Sequence, residues 1–143
     1  MNLTVDASVF VAAIRQTEMH NAASVEFLEE LRTHPRPLYC PTLVLTESVA
    51  AIGRATGDAA LVQIGFDIVQ TIPDIRLIPL DLDLARRAAD LAASQRLRGA
   101  DAVYLAVAQL NNSTLITWDA EMLQRGPAVL PTLTPSDWLV AAP

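Results

Sequence analysis

Short apolar runs alternate along this chain with segments of helical periodicity, and this alternation constrains the fold more than any other feature of the sequence. The first run, residues 3–5, ends in Asp6-Ala7-Ser8, and an apolar helix is predicted over residues 9–14. Further strand-like runs lie at residues 38–40, 75–80, 114–117 and 129–133. Strands that alternate with helices are typical of a parallel sheet covered on both faces. The sequence therefore predicts an α/β fold with a mainly parallel central sheet.

The predicted helices are bounded by residues that start or stop helices. Thr42 is a candidate cap for a helix running to about Thr56, and Gly57 is its stop. Asp58 opens the next helix, which Pro73 ends. The helix that Asp58 opens runs to about residue 71. The remaining helices are predicted at residues 19–31, 82–97, 102–110 and just after Asp119.

The composition fits one compact domain spanning residues 1–143. An apolar fraction of 52% and a mean hydropathy of +0.31 suggest buried strands and largely covered helix faces. No segment is long and uncharged enough to cross a membrane, and no basic region precedes the first apolar run. We therefore expect a cytosolic protein.

Several kinds of site are excluded by what the chain lacks. A single cysteine, Cys40, permits neither an intrachain disulfide nor a multi-cysteine metal site and is expected to be a buried hydrophobe. His20 and His34 lie in polar, turn-like segments and are expected to be solvated. All ten basic residues are arginine, which rules out a P-loop ATPase and a Schiff-base enzyme. A net charge of −6 argues against a broad nucleic-acid-binding surface but not against RNA cleavage, since bound cations can carry phosphate contacts.

Four acidic residues stand at positions where a functional site is expected. Asp6 and Asp119 follow predicted strands, and ligands of open parallel sheets bind outside the carboxyl ends of the strands. Asp101 lies in the first turn of a nearly all-apolar helix, and Glu47 interrupts another apolar helix. Each acid also has a purely structural interpretation. Asp6 and Asp119 could each cap the helix that follows. Asp101 could interact favourably with the positive end of its helix dipole. Glu47 could pair with Arg54 or another arginine.

A shared pocket for these acids would require a cation. Clustered carboxylates repel one another and raise one another's pKa values unless a positive charge neutralises them. Mg²⁺ or Mn²⁺ suits ligands that offer oxygen alone, and such an ion can activate water for attack on a phosphodiester.

Four segments together resemble a PIN domain and, more narrowly, a VapC-type toxin of bacterial type II toxin–antitoxin systems. The matching segments are Val5-Asp6-Ala7-Ser8, Thr46-Glu47-Ser48-Val49, Arg98-Gly99-Ala100-Asp101-Ala102 and Leu115-Ile116-Thr117-Trp118-Asp119. The resemblance implies a three-layer α/β/α sandwich, a Mg²⁺ or Mn²⁺ site and endonucleolytic cleavage of RNA. It also implies a homodimer and a small antitoxin partner. Asp6 and Asp101 would be the principal metal ligands, with Glu47 and Asp119 completing the site directly or through water.

Five further residues receive roles from the resemblance or from their position. Ser8 and Thr117 would support the acids by hydrogen bonds, or would make only local turn and strand bonds. Arg96 and Arg98 could meet substrate phosphates, or could be solvated charges near a helix end. Trp118 could stack on a base or pack against the protein.

The sequence leaves rival functions beside that of a ribonuclease toxin. One is a PIN-type nuclease in RNA processing without an antitoxin, and another is a non-catalytic PIN-like RNA-binding or scaffold protein. A buried carboxylate such as Glu47 is costly to retain without a use, which disfavours the scaffold. An aspartyl phosphatase is disfavoured because Ser8 stands where its second aspartate would be and because lysine is absent.

Overall fold

A five-stranded, fully parallel sheet forms the centre of the molecule in the computed structural model, which describes residues 1–142. The strands are β1 (Asn2–Val5), β2 (Leu38–Pro41), β3 (Ile75–Ile78), β4 (Ser113–Ile116) and β5 (Thr132–Leu133). Their order across the sheet is β3-β2-β1-β4-β5, and β1 pairs with β4 in a register that places Val5 opposite Ile116. The predicted parallel sheet is therefore confirmed, although the last strand is shorter than residues 129–133.

Within residues 1–142, eight α-helices flank the sheet. They are α1 (Ala7–Ile14), α2 (Asn21–Thr33), α3 (Leu43–Thr56), α4 (Ala59–Thr71), α5 (Leu82–Gln95), α6 (Gly99–Leu110), α7 (Ala120–Arg125) and α8 (Pro135–Ala141). Helix α6 packs on α5 and contacts β1, β2 and β4, while α1 contacts α2, α3 and α4. The result is the expected three-layer α/β/α sandwich.

Helix ends follow the local chemistry of the sequence. Gly57 ends α3 in the left-handed conformation, with φ of 61°, and the Asp58 carboxylate accepts hydrogen bonds from the first turn of α4. Thr42 precedes α3 as predicted, but its side chain makes no capping hydrogen bond. Helix α5 ends at Gln95, because Arg96 adopts a left-handed conformation with φ of 54°. The predicted end at residue 97 was therefore two residues too far.

The C-terminal segment contains a helix that the sequence analysis did not predict. After a 3₁₀ turn (Gly126–Ala128) and β5, the Thr134 hydroxyl accepts a hydrogen bond from the Asp137 N–H, and Pro135 occupies the first helical position of α8. A capping threonine followed by proline is a recognised start signal for a helix. The signal was present in the sequence, so this helix could have been found.

The core lies where α6 covers the sheet. All residues from 101 to 108 are buried, and Tyr104 is fully buried among them. Cys40 on β2 is also fully buried, as expected, and its thiol donates a hydrogen bond to the Val5 carbonyl at 3.4 Å. Within residues 1–142, none of the helices has both the length and the apolar character that a membrane crossing requires.

Candidate active site

The order in which strands are added to the sheet reverses between β1 and β4, which lie side by side. From β1 the chain runs outward to β2 and β3, then crosses to β4 on the other side of β1. Such a switch point leaves a crevice between adjacent strand ends, where open α/β sheets bind ligands. Asp6 follows β1 directly, and Thr117-Trp118-Asp119 follows β4. The topology thus places two of the four predicted acids at one crevice.

All four predicted acids line a single cleft at this position, with a volume of about 740 Å³. They come from four different parts of the chain: the β1–α1 junction (Asp6), α3 (Glu47), the first turn of α6 (Asp101) and the β4–α7 junction (Asp119). Ser8, Arg54, Arg98 and Trp118 also line the cleft.

Asp6 is buried and is held by the residues around it. The Thr117 hydroxyl donates to Asp6 Oδ2 at 2.9 Å, and the Ser8 N–H donates to the same oxygen at 3.4 Å, which caps α1. Burial raises the pKa of Asp6, and these hydrogen bonds offset part of the rise. The side chain therefore caps a helix and also presents a carboxylate whose ionisation is disfavoured by its surroundings.

Glu47 is the acid whose surroundings provide least compensation. Among the described residues, its buried Oε1 atom has no hydrogen-bond partner, and neither has the buried hydroxyl of Tyr104. Burial raises the pKa of Glu47, the neighbouring Tyr104 hydroxyl lowers it in part, and the charges of Asp6 and Asp101 raise it further. No ion pair joins Glu47 to Arg54 within residues 1–142. A buried carboxylate oxygen is costly to leave unpaired, and a water or a cation is the kind of group that would satisfy it.

Asp101 and Asp119 are bridged by one guanidinium. Arg98 Nε donates to Asp101 Oδ2 at 3.1 Å, and Arg98 Nη2 donates to Asp119 Oδ2 at 2.8 Å. Burial raises the pKa of Asp101, and the Arg98 contact lowers it in part. Asp119 also accepts a hydrogen bond from the Met122 N–H at 2.9 Å, so it caps α7. The positive charge already present in the cleft therefore comes from the chain itself.

Ser8 and Thr117 join the strand ends into one polar network. Besides donating to Asp6, the Thr117 hydroxyl accepts a hydrogen bond from the Asp119 N–H at 2.9 Å. The Ser8 hydroxyl accepts one from the Trp118 N–H at 3.0 Å. Thr117 thus makes one local turn bond, to the Asp119 backbone, and one long-range bond, to the Asp6 carboxylate.

The predicted arginines differ in position. Arg98 lies in the cleft, whereas Arg96 is not among the described residues that line it, and the Arg96 carbonyl instead accepts a hydrogen bond from the Arg125 side chain. Arg54, which the sequence analysis considered only as a partner for Glu47, lines the cleft about two helical turns further along α3. It makes no ion pair within residues 1–142.

His20 is a cleft residue that the sequence analysis missed. It was expected to be solvated, but its ring is half-buried and lies parallel to the Trp118 indole, with ring centroids 3.8 Å apart and planes 5° apart. His34 is exposed, as expected. Nothing local in the sequence brings His20 to Trp118, since 98 positions separate them.

The segments that form this cleft lie within one stretch of sequence that matches a known domain family. The sequence profile of the PIN domain matches residues 3–126, which includes all four acids. The chain belongs to the PIN domain family. No curated protein sequence matches this PIN domain significantly.

Solved structures resemble the PIN domain over nearly its whole length. The VapC20 toxin of Mycobacterium tuberculosis, described as cleaving the sarcin-ricin loop, has a TM-score of 0.69 at 16% identity, covering 85% of this chain and 93% of its own. The VapBC2 complex of Rickettsia felis with a promoter DNA fragment gives 0.70 at 16%, covering 94% and 98%. FitAcB of Neisseria gonorrhoeae gives 0.67 at 18%, covering 95% and 99%. At these identities, the likeness establishes the shared fold.

The donor set of the cleft fits a hard divalent cation that keeps most of its water. Its four predicted acids offer carboxylate oxygens, and the buried Glu47 Oε1 lacks a partner among the described residues. Within residues 1–142, however, no three acidic, histidine or cysteine side chains are already arranged to hold one ion. Mg²⁺ is commonly held by one or two carboxylates and several waters, so a ready three-ligand cage is not required.

Proposed function

We propose that this PIN domain is a Mg²⁺- or Mn²⁺-dependent endoribonuclease that hydrolyses RNA phosphodiester bonds, and that it is the toxin of a type II toxin–antitoxin pair. The observation that carries the proposal is the meeting of four carboxylates from four separate segments in one cleft at the switch point. Four unrelated structural reasons for these acids would not bring them to one place.

Each acid has a defined task in the proposed site. Asp6 and Asp101 are the metal ligands, since both are buried carboxylates that line the cleft. Glu47 and Asp119 bind directly or through water. When bound, the ion supplies a water of lowered pKa and stabilises negative charge on the attacked phosphate. Thr117 holds the Asp6 carboxylate in position, because it donates to Oδ2 at 2.9 Å.

Arg98 is the residue of the site best placed to meet substrate phosphate. It lies at the rim of the cleft, two-thirds exposed, and presents its guanidinium beside Asp101 and Asp119. A guanidinium binds phosphate oxygens with two parallel hydrogen bonds. Arg96 lies outside the cleft lining and would contact only RNA that extends beyond the site.

The partners of this protein are proposed from the solved relatives. A solved structure from Klebsiella pneumoniae, with a TM-score of 0.67 at 17% identity, is described as a toxin–antitoxin complex, and its matched chain shares this fold. We propose that this protein likewise binds a small antitoxin encoded beside it, acts as a homodimer and works in the cytoplasm.

Cleavage of RNA by the purified protein tests the enzymatic proposal. We expect 5′-end-labelled cellular RNA to be cut at defined positions with Mg²⁺ or Mn²⁺, and cutting to stop in excess EDTA. Undiminished cleavage in EDTA, or no cleavage by folded protein with either metal, contradicts the proposal. Asp101→Asn serves as the matched inactive variant, because it keeps the shape of the side chain.

Expression in growing cells tests the toxin proposal separately. We expect growth arrest when the protein is expressed alone, and rescue by the product of an adjacent small reading frame. Cleavage in vitro without arrest, and without binding by any adjacent product, favours a PIN-type nuclease of RNA processing. Light scattering of the purified protein checks the dimer.

A further inference from the structure

The stacked pair formed by His20 and Trp118 is a flat aromatic surface on the wall of the acidic cleft. Both residues line the cleft and both are half-buried, so part of the pair remains open to a ligand. The ring centroids lie 3.8 Å apart and the ring planes differ by 5°, so the two rings are stacked nearly parallel. This pair has no task in the proposed chemistry of the four acids.

The surrounding structure holds the pair rigidly. The Trp118 indole N–H donates to the buried Ser24 hydroxyl on α2 at 2.8 Å, and the Trp118 backbone N–H donates to Ser8 at 3.0 Å. His20 directly precedes α2, and its carbonyl accepts from the Ser24 N–H at 3.0 Å. Ser24 therefore fixes the Trp118 ring through its hydroxyl and the His20 backbone through its N–H, so a ligand that stacked on the pair would meet a largely preorganised surface.

The pair also lies next to the reacting groups along the chain. Trp118 stands between Thr117, which holds Asp6, and Asp119, which pairs with Arg98. A nucleotide seated on the pair would therefore have its phosphate near the acids. Single-stranded RNA is recognised largely through unpaired bases stacked on aromatic or histidine rings.

We propose that the His20–Trp118 pair is a base-stacking subsite that receives one of the two nucleotides flanking the scissile phosphate. The inference rests on the proposed ribonuclease function and adds the part of the cleft that binds a base. It predicts that the protein cuts unpaired RNA, since a paired base cannot present its face to the rings.

A substrate with one missing base provides the test. The cleavage site of the parent protein is first mapped on a single-stranded RNA oligonucleotide. Two further oligonucleotides then carry an abasic residue on either side of the scissile phosphate. Steady-state kinetics with Mn²⁺ compare the parent with His20→Ala, with His20→Phe, which keeps an aromatic face, and with His34→Ala, the matched control at the exposed end of α2.

On intact RNA, we expect His20→Ala to raise KM by about five- to 150-fold, the range that one stacked base contributes. His20→Phe should stay within about threefold of the parent, and His34→Ala should match it. On the abasic RNA that lacks the stacked base, the parent should lose the same factor, and His20→Ala should cost nothing more.

Three results overturn the subsite. The first is an equal loss on intact and abasic RNA for His20→Ala, which indicates a structural role. The second is a KM of the parent that neither abasic position changes, a result that holds even if His20→Ala fails to fold. The third is a His20→Phe variant as defective as His20→Ala. A folded parent that cleaves no RNA refutes the proposed function itself, whereas each of the three results leaves that function standing.

Discussion

Arg98 Nη2 donates a hydrogen bond to Asp119 Oδ2 across 2.8 Å, although the two residues are 21 positions apart in the chain. Through Nε the same guanidinium also contacts Asp101. An arginine therefore occupies the space between two acids that a divalent ion would otherwise bind or influence. Without metal, Arg98 partly neutralises the cleft, and with metal it has to share these carboxylates or leave them.

Replacing Arg98 with alanine should therefore tighten metal binding. The competing cation is lost, and since exposed ion pairs contribute little each, we expect the dissociation constant for Mn²⁺ to fall by a factor of about two to ten. Isothermal titration calorimetry measures the change, and Arg87→Ala, an exposed arginine on α5, is the control. Weaker binding in Arg98→Ala would mean that Arg98 orders the acids instead of competing for them.

Asp101→Asn should separate metal binding from fold stability. In EDTA, the variant should be as stable as the parent or more so, because one charge of a repelling cluster is gone. With Mn²⁺ at a hundredfold excess over its dissociation constant, only the parent should gain, by about 2.7 kcal/mol. Cleavage should fall by orders of magnitude. A loss of stability that is the same with and without metal, with cleavage retained, would assign Asp101 a structural role.

Glu47 should make the metal-free protein less stable as the pH rises. Burial raises its pKa above the ordinary value of 4.5, so near that pH the folded state binds a proton that the unfolded state releases. The stabilising protonation is complete below pH 4.5 and is lost as the pH passes through the raised value. Urea unfolding in EDTA between pH 4.5 and 8 should show this decline, and Glu47→Gln should make it less steep, with the rest of the decline coming from the raised pKa values of Asp6 and Asp101. An unchanged pH profile in Glu47→Gln contradicts the assignment.

Arg54→Ala should weaken RNA binding and reduce its dependence on salt. Arg54 lines the cleft about 10 Å along α3 from Glu47 and has no ion-pair partner within residues 1–142. Loss of one phosphate contact lowers the slope of log K against log salt by about 0.7 for single strands. Fluorescence anisotropy of a labelled RNA oligonucleotide, read in the inactive Asp101→Asn background, measures it. Arg87→Ala should leave the slope unchanged, and an equal effect of the two variants would point to net charge alone.

Thr117→Val tests the support of Asp6 at the ends of β1 and β4. The substitution keeps the shape but removes the hydroxyl that donates to Asp6 Oδ2 and accepts from the Asp119 N–H, so Asp6 Oδ2 retains only the longer bond from the Ser8 N–H. We expect a stability loss of about 1–3 kcal/mol and metal affinity lower by about 10- to 100-fold. Thr114→Val, on strand β4 just before Thr117, is the control for the substitution type. Wild-type metal affinity in Thr117→Val would reduce Thr117 to a packing residue.

The sequence predicts the part of the site that depends on local order. Asp6 and Asp119 could be placed because each follows an apolar strand, and adjacent parallel strands bring their carboxyl ends together. Glu47 stood out because a carboxylate in an apolar helix has to have a partner or a function. These inferences use only spacing and polarity, which the sequence displays directly.

Contacts between distant segments could not be predicted in this way. His20 was interpreted as solvated because its neighbours are polar, yet the fold lays it on Trp118. The bridge from Arg98 to both Asp101 and Asp119 depends on side-chain directions at the start of α6 and after β4. Such pairings are set by how helices pack on the sheet, and no periodicity along the chain encodes them.

Cys40 can report when the sheet opens locally at β2. Its thiol is fully buried on β2, and burial raises its pKa to about 12. The reactive thiolate therefore forms only when β2 separates from β1 and its helices. Because the sequence contains no second cysteine, the rate at which iodoacetamide alkylates the protein measures how often β2 opens. Alkylation of Cys40 therefore follows local opening of the native chain without an introduced label. Metal, RNA or a binding partner that stabilises the fold should slow this alkylation.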